Sequence, residues 1–210
     1  MDQLRGVQVR RAARDDTRTV IEVIGDAFRD DPVLSWLIPD PERRHDVMAR
    51  YFRLAVMDLY LPHGQVYLTD DASGAAVCLP PGPPAGVLPT LAELGLAWHF
   101  FRACGFRGLL RVNTLHAALR ANRPTEPHFY VHALGVRRNQ QGRGVGSALL
   151  RQVTEICDRR RCPAYLENSN ERNLALYERH GFRPVREWHV PGGGPPIWFM
   201  ARNHRRGEAS

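Results

Sequence analysis

Phe129-Tyr-Val-His-Ala-Leu-Gly-Val136 and Asn139-Gln-Gln-Gly-Arg-Gly-Val-Gly146 are the two neighbouring segments that decide the fold of this chain. The first is rich in β-branched and aromatic residues and predicts a strand. The second is a glycine-rich turn that leads into a helix. Such a turn leaves backbone N–H groups unpaired beside the positive end of the helix dipole, which predicts a site for phosphate or pyrophosphate. The helix is indicated by apolar residues at helical spacing, namely Val145, Ala148, Leu149, Val153 and Ile156.

Two common phosphate-binding loops do not fit this turn. A P-loop needs a lysine after its last glycine, and the chain contains no lysine. A dinucleotide-binding loop needs the pattern G-x-G-x-x-G directly after the strand. Here Gly142-Arg-Gly-Val-Gly-Ser147 lacks the final glycine and does not follow the strand directly. The P-loop is therefore excluded, and a Rossmann-type site is disfavoured.

A second strand and a second helix follow. Pro163-Ala-Tyr-Leu-Glu-Asn168 predicts a short strand, and Asn170 with Glu171 in the first turn predicts the start of a helix. Gly181 stands where a left-handed residue commonly ends a helix. The order of elements over residues 129–182 is therefore strand, glycine-rich turn, helix, strand and capped helix.

Two patterns in these elements resemble the signatures of the GNAT superfamily of acetyl-CoA-dependent N-acetyltransferases. Gln141-x-x-Gly144-x-Gly146 is similar to the pyrophosphate loop of that family. Asn170…Leu176-Tyr-Glu178…Gly181-Phe182 is similar to its second signature, and the two occur in the family's order and separation. Residues 10–16, 27–32, 166–182 and 198–202 further resemble a subgroup that includes puromycin N-acetyltransferase.

The resemblance implies an α/β fold of the GNAT type. Its centre would be a mixed, mostly antiparallel sheet of about six or seven strands, flanked by helices and splayed between the fourth and fifth strands. Residues 1–204 are expected to form a single acetyltransferase domain, and residues 205–210 a disordered tail.

Hydrophobic patterns and turn residues predict the remaining elements. A first strand is expected over residues 7–12, and helices over residues 15–27 and 41–61. Paired strands are expected at 65–68 and 75–79, helical segments at 90–101 and 109–121, and a C-terminal hairpin with strands at 184–190 and 197–203.

The resemblance also implies acetyl-CoA as co-substrate. The turn would hold its pyrophosphate, and the backbone N–H of Val136 would meet the thioester oxygen. Gly135 within the strand suggests a bulge or splay that frees such backbone groups. The expected coenzyme-binding residues are Leu134, Val136, Gln141, Gly142, Arg143, Gly144, Val145, Gly146, Ser147, Asn170, Asn173 and Tyr177.

Acid and base candidates come from the same two signatures. Tyr177 is expected to donate a proton to the departing thiolate, because a tyrosine hydroxyl is protonated at neutral pH. His132 has an ordinary pKa of about 6.5 and is one candidate for the base; Glu167 on the adjoining strand is the other, and water remains a third possibility. Strand alternation predicts that Tyr130, His132, Leu134 and Val136 share one face.

The acceptor is expected to be a primary amine of a small molecule that has an apolar or aromatic body. The segments that the family uses for the acceptor offer aromatic residues and few carboxylates, which suits such a cation. Two alternatives stay open: a peptide or protein amine as acceptor, and a coenzyme-A-binding sensor without turnover. The expected acceptor residues are Phe28, Asp31, Trp36, Tyr130 and Trp198, with Trp188 close to them.

Composition limits the remaining function classes. The 210 residues carry a formal charge of +7, but the arginines are scattered and no RNA-binding pattern appears, so a nucleic-acid partner is not expected. No signal peptide or membrane span is predicted, and four irregularly spaced cysteines indicate reduced thiols and a cytoplasmic protein. No metal site is expected, because Cys157 and Cys162 lack a second ligand pair. The oligomeric state stays open between monomer and homodimer.

Overall fold

The computed structural model of the chain describes residues 6–54, 56, 60–62, 65–82 and 91–204. The strands are β1 (Val9–Arg11), β2 (Val66–Thr69), β3 (Gly74–Leu79), β4 (Phe129–Val136), β5 (Ala164–Asn168), β6 (Arg183–His189) and β7 (Pro196–Arg202). They form one sheet in the order β1-β2-β3-β4-β5-β7-β6. Only β4 and β5 are parallel neighbours among these strands, which confirms the predicted mixed, mostly antiparallel sheet. The predicted tail at 205–210 lies outside the described residues.

The helices of the described residues lie on both faces of the sheet. They are α1 (Thr17–Ala27), α2 (Pro32–Leu37), α3 (Pro41–Leu54), α4 (Leu91–Asn122), α5 (Val145–Arg159) and α6 (Leu174–Arg179). Side chains alternate along β3, so that Ala76 and Cys78 pack towards α5, whereas Ala75 and Val77 pack towards α1 and α3. The predicted coenzyme loop and the base candidates are therefore supported by different layers of the core.

Three helix boundaries differ from the sequence prediction. The segments predicted at 90–101 and 109–121 belong to one element, α4, which is broken at Gly105 with a φ of 63°. The short helix α2 was not predicted, although Asp31 accepts a hydrogen bond from the Leu34 N–H and Pro32 occupies the first turn. Asn170 caps a single 3₁₀ turn that precedes α6, so α6 is shorter than predicted.

The pairing of β4 with β5 is short. Phe129 lies opposite Ala164 and Tyr130 lies opposite Tyr165, and no later pair follows along these strands. Both strands continue past this point, β4 to Val136 and β5 to Asn168. The expected splay between the fourth and fifth strands is therefore confirmed.

A β-bulge in β4 adds one residue opposite β3. Val77 lies opposite Ala133, whereas the next residue, Cys78, lies opposite Val131. His132 is therefore the extra residue in β4. A bulge of this kind re-aims the side chains on either side of it.

The bulge corrects the prediction that four alternate residues of β4 share a face. His132 contacts the Tyr51 ring of α3, and Tyr130 packs in a cluster that includes Leu115 of α4. Leu134 and Val136 instead pack against the cluster that contains α5. The predicted common face is wrong beyond His132, because alternation restarts after the inserted residue.

A glycine is needed at position 135 for a reason other than the predicted bulge. It pairs in regular register with Ala75. A Cβ on Gly135 would lie 2.8 Å from the Cβ of Ala27 and 3.1 Å from the Cδ1 of Ile24. The glycine therefore allows α1 to pack closely on β4.

Candidate active site

The loop between β4 and α5 carries two glycines in the left-handed conformation. Gly142 has a φ of 78° and Gly144 has a φ of 83°, and Gly144 is the N-cap of α5. Nothing in the described part of the chain lies within 4 Å of a Cβ built on either glycine. The backbone here faces open space, which leaves room for a ligand to approach it.

The start of α5 offers unpaired donors to that space. No side chain of the residues that the structure describes caps the helix, which leaves the N–H groups of its first turn available to a ligand. A Cβ on Gly146 would lie 3.2 Å from the Cδ2 of Leu176, because α5 begins close against α6. Arg143 is exposed beside this turn. Backbone donors, the helix dipole and a guanidinium together suit a pyrophosphate.

The end of β4 presents backbone groups to the splay. The N–H of Arg137 donates to the Ser73 carbonyl at 2.8 Å, on the β3 side. Because successive N–H groups of a strand point in opposite directions, those of Leu134 and Val136 point away from β3, towards the opening. The Gln141 side chain donates from Nε2 to the Val136 carbonyl at 3.2 Å and so fixes the strand end to the loop.

Tyr177 lies in α6 with its ring in the core. The ring meets Phe182 edge-on, with centroids 6.1 Å apart. Burial, and then the charge of Asp31, raise the pKa of Tyr177 to about 12. No hydrogen bond to the described residues occupies its hydroxyl. The side chain is therefore a protonated donor that is free to meet a ligand.

Asp31 joins the turn after α1 to the end of β5. Its Oδ1 accepts the Leu34 N–H at 2.9 Å, and its Oδ2 accepts a short hydrogen bond from the Ser169 hydroxyl. Burial raises the pKa of Asp31, and the hydrogen bond from Ser169 opposes that rise. Both carboxylate oxygens are thus engaged within the protein.

His132 is held between tyrosines on the opposite side of β4 from α5. The Tyr51 hydroxyl lies 3.0 Å from Nε2, and the Tyr130 hydroxyl lies 3.4 Å from Nδ1. The imidazole also stacks on Tyr60, with centroids 5.1 Å apart and an interplanar angle of 24°. Burial, with a smaller contribution from Arg123, lowers the pKa of His132 to about 4. The ring is neutral at physiological pH.

Glu167 lies on β5 at the other side of the splay. Its Oε1 is buried and accepts no hydrogen bond from the described residues, and Arg123 Nη2 lies 4.0 Å away. Burial raises the pKa of Glu167, while the Tyr130 hydroxyl and Arg123 offset part of that rise. The carboxylate therefore keeps one acceptor oxygen available.

The predicted acceptor residues do not all come together. Tyr130 belongs to a cluster that includes residues of α2, α4 and the β6–β7 hairpin, and Trp36 and Trp188 both pack against it. Phe28 instead contacts Phe52, with ring centroids 5.8 Å apart. Trp198 lies on the α5 side in the same cluster as Tyr177. Sequence position alone placed these aromatic residues in one pocket, whereas the sheet separates them.

Three residues near Glu167 and His132 were missed by sequence reasoning. Tyr51 and Tyr60 contact His132, and the Arg123 guanidinium lies 4.3 Å from the Tyr130 ring centroid. Arg123 follows α4, and Tyr51 lies within α3. No local sequence signal marks any of the three, because only the tertiary fold brings them to β4.

Other classes of site receive no support from the described residues. No helix among them is long and apolar enough to cross a membrane. No group of three or more His, Cys, Asp or Glu side chains in that part of the chain could hold a metal ion. Cys78, Cys157 and Cys162 are buried free thiols.

Comparisons with known proteins agree with the fold. The model of the acetyltransferase (GNAT) family matches residues 104–182. An uncharacterized N-acetyltransferase of Schizosaccharomyces pombe is 26% identical over 183 residues, covering 82% of this chain and 73% of that protein.

Solved structures show the same architecture over nearly the whole chain. A structure described as histone acetyltransferase HPA2 and related acetyltransferase, from Corynebacterium glutamicum, has a TM-score of 0.72 at 23% identity and covers 97% of this chain and 99% of that one. Arylalkylamine N-acetyltransferase 2 of Aedes aegypti has a TM-score of 0.64 at 11% identity and covers 95% of this chain and 100% of its own. At these identities the likeness concerns the fold.

Proposed function

We propose that this chain is an acetyltransferase of the GNAT superfamily and that it transfers acetyl from acetyl-CoA to the primary amine of a small molecule. The observation that carries the proposal is the splay of β4 from β5 beside the uncapped start of α5. A pyrophosphate at the loop places the pantetheine arm in the splay, where the Val136 N–H is available to the thioester oxygen. Both substrates would be bound together, so the amine attacks the thioester directly.

Tyr177 is the proposed general acid. When the tetrahedral intermediate collapses, the C–S bond breaks and the thiolate takes the hydroxyl proton of Tyr177. A pKa of about 12 keeps that proton on the oxygen until the thiolate forms. The Tyr177 phenolate is then re-protonated from solvent after the thiol leaves.

Glu167 is the proposed base, and His132 the alternative. The acceptor enters as an ammonium ion and loses two protons during the reaction, which pass to the Glu167 carboxylate and then to solvent. Because Tyr177 takes one proton back from solvent, the whole reaction releases one proton. Glu167 has a buried oxygen that accepts no hydrogen bond from the described residues, whereas both ring nitrogens of His132 already face tyrosine hydroxyls. This geometry favours the carboxylate.

The acceptor is proposed to be a small aromatic or amphipathic amine, as in the subgroup of puromycin N-acetyltransferase that the sequence resembles. Trp36, Tyr130 and Trp188 provide aromatic surface on the same side as Glu167. Asp31 is not proposed to bind the amine directly, because hydrogen bonds within the protein occupy both its oxygens.

A thiol-release assay with acetyl-CoA and a panel of acceptors tests this proposal. The panel contains aromatic amines, aminoglycosides, polyamines and peptides, and mass spectrometry identifies the acetylated product. Turnover that is highest with aromatic amines and lost in Glu167→Gln supports the proposal. Efficient acetylation of peptides alone would move the acceptor to the protein class. Coenzyme binding without turnover of any acceptor would indicate a sensor.

A further inference from the structure

Arg123 is an exposed cation that lies against two buried groups. Its guanidinium carbon is 4.3 Å from the centroid of the Tyr130 ring. Its Nη2 is 4.0 Å from Glu167 Oε1, which is beyond hydrogen-bonding distance. The Arg123 side chain is 41% exposed, whereas that of Glu167 is 11% exposed. Among the residues that the structure describes, none forms a hydrogen bond with the guanidinium.

The backbone beside Arg123 is held in place, but its side chain is not. Asn122, the last residue of α4, accepts the Tyr165 hydroxyl on its carbonyl at 3.4 Å and Arg186 Nη1 on its Oδ1 at 2.6 Å. Pro124 follows Arg123 and favours an extended backbone there. The part of Arg123 that can move is therefore the side chain, whose charged end already reaches solvent.

Glu167 Oε1 is an acceptor that the described residues leave without a donor. The atom is buried and accepts no hydrogen bond from them. Such an atom is rare in proteins and costly, because it has lost its water without gaining a partner. The Arg123 guanidinium provides charge at 4.0 Å but no hydrogen bond. A ligand with a smaller charged donor would supply the missing bond.

The two buried groups lie where the β4–β5 pairing ends. Tyr130 lies opposite Tyr165, in the last pair of these two strands. Both tyrosines belong to the cluster that includes residues of α2 and α4. Because side chains alternate along a strand, Glu167 is the next residue of β5 on the face of Tyr165. A cation bound to Glu167 would therefore lie at the opening of the splay, beside the proposed position of the thioester.

A tyrosine ring and a carboxylate together suit an ammonium ion. A cation within about 6 Å of the ring centroid is attracted by the face of the ring. A carboxylate oxygen accepts a strong hydrogen bond from a charged N–H donor. An ammonium is more compact than a guanidinium, and its three donors rotate freely. It can therefore approach Glu167 Oε1 to hydrogen-bonding distance while it remains over the Tyr130 ring.

We propose that Arg123 occupies, in the free protein, a cation subsite formed by the Tyr130 ring and Glu167 Oε1, and that the primary ammonium of the acceptor displaces it. This proposal rests on the proposed function, in which an amine is acetylated beside Glu167. Arg123 then acts as a specificity residue. A neutral molecule that displaces it leaves the carboxylate without a cation, whereas an ammonium replaces the charge and adds the hydrogen bond.

The first test is calorimetry with phenethylamine and phenethyl alcohol, with and without coenzyme A. The two probes share one ring and chain, and at about pH 8 only the amine is charged. Arg123→Met removes the guanidinium and keeps a long side chain. Phenethylamine should bind this variant about three- to tenfold more tightly than the wild type, because no cation–π contact or part-exposed ion pair has to be broken. The Kd of phenethyl alcohol should not change.

Arg186→Met is the matched control for charge. Arg186 contacts Asn122 and neither Tyr130 nor Glu167 among the described residues, so its loss should leave the Kd of both probes unchanged. Equal tightening in both variants would reveal a general effect of charge and would overturn the proposal. Weaker or unchanged binding of phenethylamine to Arg123→Met would overturn it too, since Arg123 would then support the carboxylate and not compete for it. The melting temperature checks that each variant is folded.

Methylguanidinium tests the subsite without any acceptor. Arg123→Ala uncovers the ring and the carboxylate, so millimolar methylguanidinium should raise the melting temperature of this variant and not that of the wild type. The rise should disappear when Glu167→Gln is added to Arg123→Ala. No rise in Arg123→Ala would overturn the proposal, whether or not phenethylamine binds.

These measurements also separate the subsite from the proposed function. If the probes behave as expected but no amine is acetylated, the proposed function fails and the subsite stands. If amines are acetylated but neither probe responds to the loss of Arg123, the subsite fails and the proposed function stands.

Discussion

Replacing Gly144 with valine should distinguish the role of this loop in coenzyme binding from its role in the stability of the fold. Gly144 has a φ of 83°, and a non-glycine residue in that region costs about 1–2 kcal/mol. No described atom lies within 4 Å of the added Cβ, so no clash adds to this cost. For a chain of this size, the melting temperature should fall by about 2–8 °C, and the protein should remain folded.

The same substitution should weaken acetyl-CoA binding much more than it weakens the fold. The side chain projects into the open space where the pyrophosphate would lie, and strain disturbs the first-turn N–H groups of α5. We expect the Kd measured by calorimetry to rise about tenfold or more, which is about 1.4 kcal/mol. Acetyl-pantetheine lacks the pyrophosphate, so its affinity should change little.

Gly193→Val is the matched control for the strain. Gly193 has a φ of 77° in the turn between β6 and β7, and no described atom lies within 4 Å of its Cβ position. This variant should lose a similar amount of stability and keep its affinity for acetyl-CoA. A folded Gly144→Val protein that binds acetyl-CoA with unchanged affinity would refute the loop assignment.

Three further variants test other parts of the molecule. Tyr177→Phe should lower kcat by about 10²-fold while acetyl-CoA binding persists, because only the proton donor is lost; unchanged turnover with chemistry rate-limiting would assign the ring to packing. Gly74→Ala should destabilise the fold by about 1–3 kcal/mol in denaturant unfolding, since its Cβ would lie 2.6 Å from Val145 Cγ1; a wild-type midpoint would contradict this packing. Asp31→Ala should cost about 1 kcal/mol through loss of the α2 cap, and Asp31→Asn much less; equal losses would point away from the cap.

The sequence predicts the coenzyme side of the site better than the acceptor side. The turn from β4 to α5 is local: glycine conformation, helix spacing and the cap are all determined within about ten residues of one another. The structure accordingly has Gly144 at the N-cap of α5 and Tyr177 in a short helix. That these residues bind acetyl-CoA and donate the proton stays a prediction.

The acceptor side depends on features that no local pattern encodes. The bulge at His132 arises from how β4 pairs with β3, and a period of two residues cannot reveal an inserted residue. Tyr51 and Arg123 reach β4 from helices that are far away in the sequence. Trp198 was grouped with Trp36 because both were expected near the same end of the sheet, yet they face different layers.

Because the β4–β5 pairing ends early, parts of these two inner strands have backbone groups that face no neighbouring strand. The amide hydrogens of Leu134 and Val136 in this region should exchange with deuterium faster than those of Gly135, which pairs with Ala75. A coenzyme arm bound there would supply the missing acceptors and slow exchange at these two positions. Hydrogen exchange at these two residues would then report in the intact protein whether the coenzyme is bound. The bound coenzyme would take the place of a neighbouring strand.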